Sequence, residues 1–239
     1  MPAFSEEFYI IGHRGAAGEL FENSLEGFEY ALTLDIDMIE IDIREHASDL
    51  WVFHDHDLER LTGETGQFEN HANPSQLRLL NGEPLPSLRQ VLDLTWGKLP
   101  LNIEIKALED LDLLLDLLAD YPRLEPGAGL PWNLISSFDH GALARLRDRG
   151  CPWPLAPISS GIPLQTRVEL ETISPYSWHF DDAHLDFELV RELRAKGIPS
   201  LVFTVNEMER ARELKSRGVA GIFTDHPATM QRIGQHQIR

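Results

Sequence analysis

The sequence predicts an α/β protein, a single (β/α)8 (TIM) barrel over residues 1–239 with a short hairpin inserted after strand two. Three observations lead there. Short β-branched runs alternate with longer stretches of helical period along the chain. Gly150, Gly197 and Gly218 each close a helix rich in Arg or Lys, giving the strand, helix, glycine, strand grammar of parallel βαβ units. At 239 residues, with no Gly-rich dinucleotide loop, eight strands suit a closed barrel better than an open doubly wound sheet.

In chain order, the first strand is the apolar run Phe8–Ile11. The helix after it spans Ser24–Leu34, because Leu25, Phe28 and Leu32 recur at helical spacing and Ser24 supplies an N-cap. Strand two, Met38–Ile43, alternates almost perfectly, and the hairpin that follows carries Leu50-Trp51-Val52-Phe53. Later strands read as Leu101–Ile105, Asn133–Phe138, Pro154–Ile158, Tyr176–Phe180, Ser200–Val205 and Gly221–Thr224. Helices are expected at Ser87–Leu94, Glu109–Ala119, Gly141–Arg149, Asp186–Lys196 and Glu207–Arg217. The stretch Gln67–Pro86, with Pro74, Pro84 and Pro86, reads as a long loop, and Leu155–Ser177 is the hardest stretch to divide into elements.

Composition narrows the function. Acidic residues number 39 against 21 basic ones, a formal charge of −18. Such a surface repels nucleic acid, whose binding needs Lys and Arg to neutralise phosphates, and is a poor partner for an anionic membrane. Cys151 is the only cysteine, so no intrachain disulfide forms and a reducing compartment fits. The N-terminus lacks the basic start and apolar core of a signal peptide, and no apolar run is long enough to span a bilayer. The expectation is a soluble, cytoplasmic protein with no stable membrane association.

In a barrel, chemistry gathers at the C-terminal ends of the strands. His13-Arg14-Gly15 follows strand one, and His54-Asp55 ends the hairpin strand. Glu40 and Asp42 share one side of strand two, since side chains alternate, and Glu104 and Lys106 share one face of the strand at Leu101–Ile105. Strands of a parallel barrel are normally apolar on both faces, so inward carboxylates require a partner or an ion. Three carboxylates on adjacent strands form an oxygen cage suited to Mg²⁺ or Ca²⁺.

These motifs, in this order, resemble the glycerophosphodiester phosphodiesterase family in its compact bacterial cytosolic form. The resemblance runs from His13-Arg14-Gly15-Ala16 through Glu22-Asn23-Ser24, Ile39-Glu40-Ile41-Asp42, His54-Asp55 with Leu58 and Thr62, and Asn102-Ile103-Glu104-Ile105-Lys106. It closes with Phe203-Thr204-Val205-Asn206 and Gly221-Ile222-Phe223-Thr224-Asp225-His226-Pro227. The resemblance implies that Glu40, Asp42 and Glu104 ligate one divalent cation, Mg²⁺ or Ca²⁺. It implies that Arg14, Glu22, Lys106 and Phe203 surround the substrate, and that His13 and His54 form an acid–base pair. The substrate implied is a small soluble glycerophosphodiester, cleaved to sn-glycerol 3-phosphate and an alcohol. A lysophospholipase D or sphingomyelinase D type of phosphodiesterase on the same barrel is the alternative, and a non-catalytic barrel a more remote one. Three departures stand out: Phe21 where a proline is usual, Phe203 where a tryptophan is usual, and Ala47-Ser48-Asp49 in place of an Asp-Gly turn.

Overall fold

The computed structural model describes residues 8–121, 124, 130–163 and 166–234. The first seven residues, on which part of the N-terminal expectation rests, lie outside these, as do residues 164 and 165 of the stretch 155–177. The elements in order are β1 (Tyr9–Gly12), α1 (Leu25–Ala31), β2 (Met38–His46), β3 (Asp49–Val52), α2 (Glu59–Thr62), α3 (Leu88–Thr95), β4 (Leu101–Ala107), α4 (Leu111–Ala119) and β5 (Asn133–Ser137). They continue with α5 (His140–Asp148), β6 (Leu155–Ser159), α6 (Thr166–Ile173), β7 (Trp178–Asp181), α7 (Phe187–Ala195), β8 (Ser200–Phe203), α8 (Met208–Ser216), β9 (Gly221–Thr224) and α9 (Pro227–Gly234).

Strand β1 pairs in parallel with both β2 and β9, and this double pairing closes the sheet into a barrel. Among the described residues eight strands are parallel and β3 alone runs antiparallel, hung on the outer end of β2 as the expected hairpin. Several helix starts are fixed by the caps their sequences supply. Ser24 accepts from the Gly27 N–H, Ser87 and Gln90 form a reciprocal capping box, and Asp110, Asp139 and Asp186 cap α4, α5 and α7.

The period of two along the strands sorts side chains into two environments. Ile39, Ile41, Ile43, Ile103 and Ile105 face the helices and join Phe28, Leu88, Leu92 and Leu114 in the main core. The opposite faces fill the barrel interior, which changes character along its axis. Its lower part is an apolar plug of Ile11, Met38, Leu134, Ala156, Leu201 and Phe223. One layer further toward the strand C-termini, Glu40, Asp42, Asn102, Glu104, Ser136 and His179 replace hydrocarbon with buried polar groups.

The hairpin and the chain after it form a second structure beside the barrel. Ala47 and Ser48 both take positive φ, 53° and 58°, so the tight turn forms without the glycine such a turn prefers. The stretch read as a loop, residues 67–86, is held by two 3-10 turns and by the bridge of Arg78 with Pro84. It buries Phe68, Leu77, Leu79 and Leu85 against Trp51, Phe53, Leu58 and Leu61, a small core of its own, with Phe21 packed on its edge. Among the described residues no helix is long and apolar enough to cross a membrane.

Candidate active site

Register brings the inward acids together. Asp42 pairs with Glu104 across β2 and β4, and Glu40 with Asn102 one step below. One carboxylate oxygen from each of Glu40, Asp42 and Glu104 lies within 4.8 Å of the others, so the three can hold a metal ion. The group is buried: Glu40 is 2 %, Asp42 1 % and Glu104 8 % exposed. Glu40 Oε1 has no hydrogen-bond partner among the described residues, while Asp42 Oδ1 and Glu104 Oε1 face the Lys106 ammonium. A buried carboxylate oxygen with nothing to accept from is costly unless a cation or proton meets it.

Electrostatics divides the three acids. Burial, reinforced by Asp42 and Glu104, pushes Glu40 well above the usual carboxylate range. Burial and Asp42 likewise push Glu104 up to about 7, against the pull of Lys106. Burial acts on Asp42 too, but Lys106 and Arg14 outweigh it and hold that group at about 2. Asn23 steadies Asp42 further, donating Nδ2–H to Oδ2 at 2.9 Å. Two of the three acids are thus costly to hold charged in this burial, a cost that a cation among them would offset.

The loop after β1 wraps around this cluster. Arg14 sits at φ 50° and donates its backbone N–H to Glu40 Oε2 at 2.8 Å. The turn is too tight for a side chain at Gly12, where a Cβ would stand 2.2 Å from the Gly15 carbonyl oxygen. The Arg14 guanidinium lies 3.2 Å from Asp42 and donates to Glu22 at 2.7 Å. With Lys106, 3.3 Å from Asp42 and in contact with Glu104, it edges the carboxylates with positive charge.

Each histidine has a carboxylate partner. His13 Nδ1 meets Asp225 Oδ1 at 2.7 Å, and Asn206 donates to the other oxygen of Asp225 at 2.7 Å. His54 Nδ1 meets Asp55 Oδ1 at 2.6 Å. With Nδ1 engaged, each ring keeps Nε2 for other work, and that of His13 lies 3.9 Å from Glu40. Burial, with Arg14 and Lys106, holds His54 below its ordinary value even though Asp42 pulls the other way.

The model of the glycerophosphoryl diester phosphodiesterase family matches residues 13–229. The chain belongs to that family. It is a family of hydrolases, and its fold is the one described above. A glycerophosphodiester phosphodiesterase of Bacillus altitudinis is 29% identical over 91% of this chain and 94% of its own length. The structure of an Oleispira antarctica phosphodiesterase, in complex with the product sn-glycerol-3-phosphate, superposes with a TM-score of 0.84 at 26% identity, covering 95% of this chain and 96% of that one. A lysophospholipase D of mouse is 24% identical over 92% of this chain and 84% of its own length.

Most of the residues singled out in the sequence surround a pocket of about 340 Å³ at the C-terminal mouth of the barrel. His13, Arg14, Glu40, His54, Glu104, Lys106 and Phe203 line it, and Asp42 lies behind them in the carboxylate cluster. Phe203 meets Phe138 edge to face at 5.9 Å, forming an aromatic wall. Glu22 stands outside this lining, where its carboxylate grips Arg14 and Arg60. Sequence reasoning missed three groups. Asp225 partners His13 from 212 residues away. Arg60 joins Asp55 to Glu22. His179, buried and held neutral with a pKa of about 3, forms part of the floor. The motifs quoted for the resemblance included Asp225 but gave it no task, and nothing in the pattern marked Arg60 or His179.

Proposed function

We propose that this chain, as one barrel domain acting in the cytoplasm, hydrolyses glycerophosphodiesters to sn-glycerol 3-phosphate and an alcohol. The observation that carries the reading is the buried trio Glu40, Asp42 and Glu104, with an orphaned oxygen, flanked by Arg14 and Lys106. That donor set is all oxygen, which suits a hard divalent cation such as Mg²⁺ or Ca²⁺. When bound, the ion supplies charge neutralisation at the phosphoryl oxygens.

The chain's own residues perform the rest. A phosphodiester is anionic and repels an attacking oxygen. The planar fork of Arg14 engages its oxygens and the Lys106 ammonium adds a point charge, both aimed where negative charge grows in the transition state. His13 and His54 carry the protons: one Nε2 accepts from the attacking O–H, and the other donates to the departing alkoxide as its P–O bond breaks. Asp225 and Asp55 hold the rings in the tautomer that leaves Nε2 free. Glu22 acts behind Arg14, fixing its fork. Phe203, with Phe138, walls the alcohol side.

A second reading, hydrolysis of lysophospholipids, is favoured by one observation: Phe138 is 45% exposed beside the mouth, an apolar lip available to a hydrocarbon chain. A product assay across glycerophosphodiesters and lysophospholipid micelles, with and without EDTA, tests both. The expected result is faster release of sn-glycerol 3-phosphate from the dissolved diesters, abolished by chelation and restored by Mg²⁺ or Ca²⁺. Full turnover after thorough chelation refutes the metal site; faster cleavage of micelles refutes the substrate class.

A further inference from the structure

Arg60 lies on the single-turn helix α2, off the barrel, with its side chain about half exposed. Its guanidinium nonetheless makes four hydrogen bonds, two to each of two carboxylates. Nε donates to Asp55 Oδ2 at 2.6 Å and Nη2 to Asp55 Oδ1 at 2.8 Å. Nη1 donates to Glu22 Oε2 at 2.6 Å and Nη2 to Glu22 Oε1 at 2.8 Å. Both carboxylates continue inward from there. Asp55 Oδ1 meets His54 Nδ1 at 2.6 Å, and Glu22 Oε1 accepts from Arg14 Nη1 at 2.7 Å.

We propose that Arg60 is a positioning residue: it clamps Asp55 and Glu22 together, and so fixes the His54 ring relative to the Arg14 fork. The inference rests on the roles given above to His54 and Arg14, and Arg60 itself touches no substrate. Three physical points support it. His54 is borne by the hairpin and Arg14 by the loop after β1, so their separation depends on whatever bridges those two elements. The side chains of Asp55 and Glu22 are only 19% and 15% exposed, and two carboxylates gathered on one nitrogen repel each other unless a cation stands between them. The bridge is also directional. A guanidinium donating two parallel bonds to each carboxylate fixes both carboxylate planes, whereas an ammonium supplies the charge and leaves the planes free to turn. Reacting groups lose rate steeply when displaced by as little as an ångström, so a bridge on the periphery bears on turnover.

The test compares Arg60→Lys, Arg60→Met and Arg60→Ala with the parental protein. Far-UV circular dichroism and thermal melting establish that each variant is folded. Lys and Met are both expected to lower kcat by about 10–100-fold, the usual scale for a group that orients the reacting ones, with a much smaller change in KM. In a His54→Ala background the penalty of Arg60→Met is expected to shrink severalfold, because the ring it positions is gone. Methylguanidinium added to Arg60→Ala is expected to restore part of kcat, and methylammonium to restore none. Parental kcat in Arg60→Lys overturns the clamp, as does an undiminished penalty in the His54→Ala background, or equal rescue by the two amines. If His54→Ala itself keeps parental turnover, the acid–base reading fails instead; if it is inactive while Arg60→Lys is parental, only the clamp fails.

Discussion

The two histidines of the proposed proton transfer are built into the molecule in opposite ways. His13 follows a barrel strand, and its partner Asp225 follows the neighbouring strand β9, so the parallel pairing of β1 with β9 sets the dyad directly. His54 follows the hairpin strand β3, whose one strand neighbour among the described residues is β2 and which is backed by a separate small core. Its partner is the next residue in the chain, Asp55, tied outward to Arg60. One dyad is thus a product of barrel closure and the other of an insertion. Two groups that must act on one phosphate need not share one supporting structure; each needs its own, and the join between them becomes a component in its own right.

Removing the rings tests whether the two are equivalent. His13→Ala and His54→Ala are each expected to lower kcat by about 10²–10⁴-fold, with the double variant falling well short of the product of the two losses. Steady-state kinetics on a glycerophosphodiester reads this. A folded single variant at the parental rate identifies its histidine as structural. A substrate with a very good leaving group is expected to rescue whichever variant lacks the proton donor, and so separates the two roles.

The carboxylate partners sharpen the contrast. Asp225→Asn and Asp55→Asn are each expected to cost about 10–100-fold in kcat, with the larger loss at Asp225. The order follows from the surroundings: Asn206 engages Asp225 without charge, whereas Arg60 already shares the charge of Asp55 and helps hold that group at about 2. A larger loss in Asp55→Asn would show that the hairpin dyad carries the more demanding transfer.

A smaller effect is expected when the hairpin's own core is opened. The Phe68 ring is fully buried and stacks on Phe53 at a centroid distance of 4.9 Å. Phe68→Ala is expected to destabilise that region by about 3–5 kcal/mol. Turnover should then fade on warming before the far-UV signal of the barrel melts. Coincident loss of both signals would show that hairpin and barrel unfold as one unit.

The smallest effect concerns the acids between the two dyads. Burial and Asp42 raise Glu104 to about 7, so its stabilising contribution is complete below its ordinary value and is lost as pH rises through about 7. A bound cation offsets both the burial cost and the repulsion from Asp42 that cause that loss. The rise in Tm on adding Mg²⁺ or Ca²⁺ is therefore expected to be greater at about pH 8 than at about pH 5. A rise independent of pH would place the ion elsewhere.

Much of the barrel was legible because its strands obey simple rules. Period-two alternation put Glu40, Asp42 and Glu104 on inward faces, and Gly150, Gly197 and Gly218 marked helix ends at the positive φ that the structure gives them. The misses have physical causes. Strand β2 runs on to His46, past the expected end at Ile43, because Arg44, Glu45 and His46 are polar yet pair with the hairpin. Helix α6 leaves no readable stripe in the sequence because Ile173 is its only buried residue. The stretch 67–86 packs through Phe68, Leu77, Leu79 and Leu85, which follow no period because turns rather than a helix or strand aim them inward. In the site, the strand-borne acids were readable from local pattern. The bonds of His13 to Asp225 and of Arg60 to Glu22 span 212 and 38 residues, and no local pattern reaches so far.

The first of those bonds has a consequence for how the protein comes into being. A ribosome delivers His13 well before Asp225, which follows the strand that completes the barrel. Throughout that interval the histidine has neither its carboxylate nor the closing strand beside it. A chain that stops short of β9 holds only one half of that contact, so the dyad is among the last features of the barrel to form, set when the final strand docks against the first.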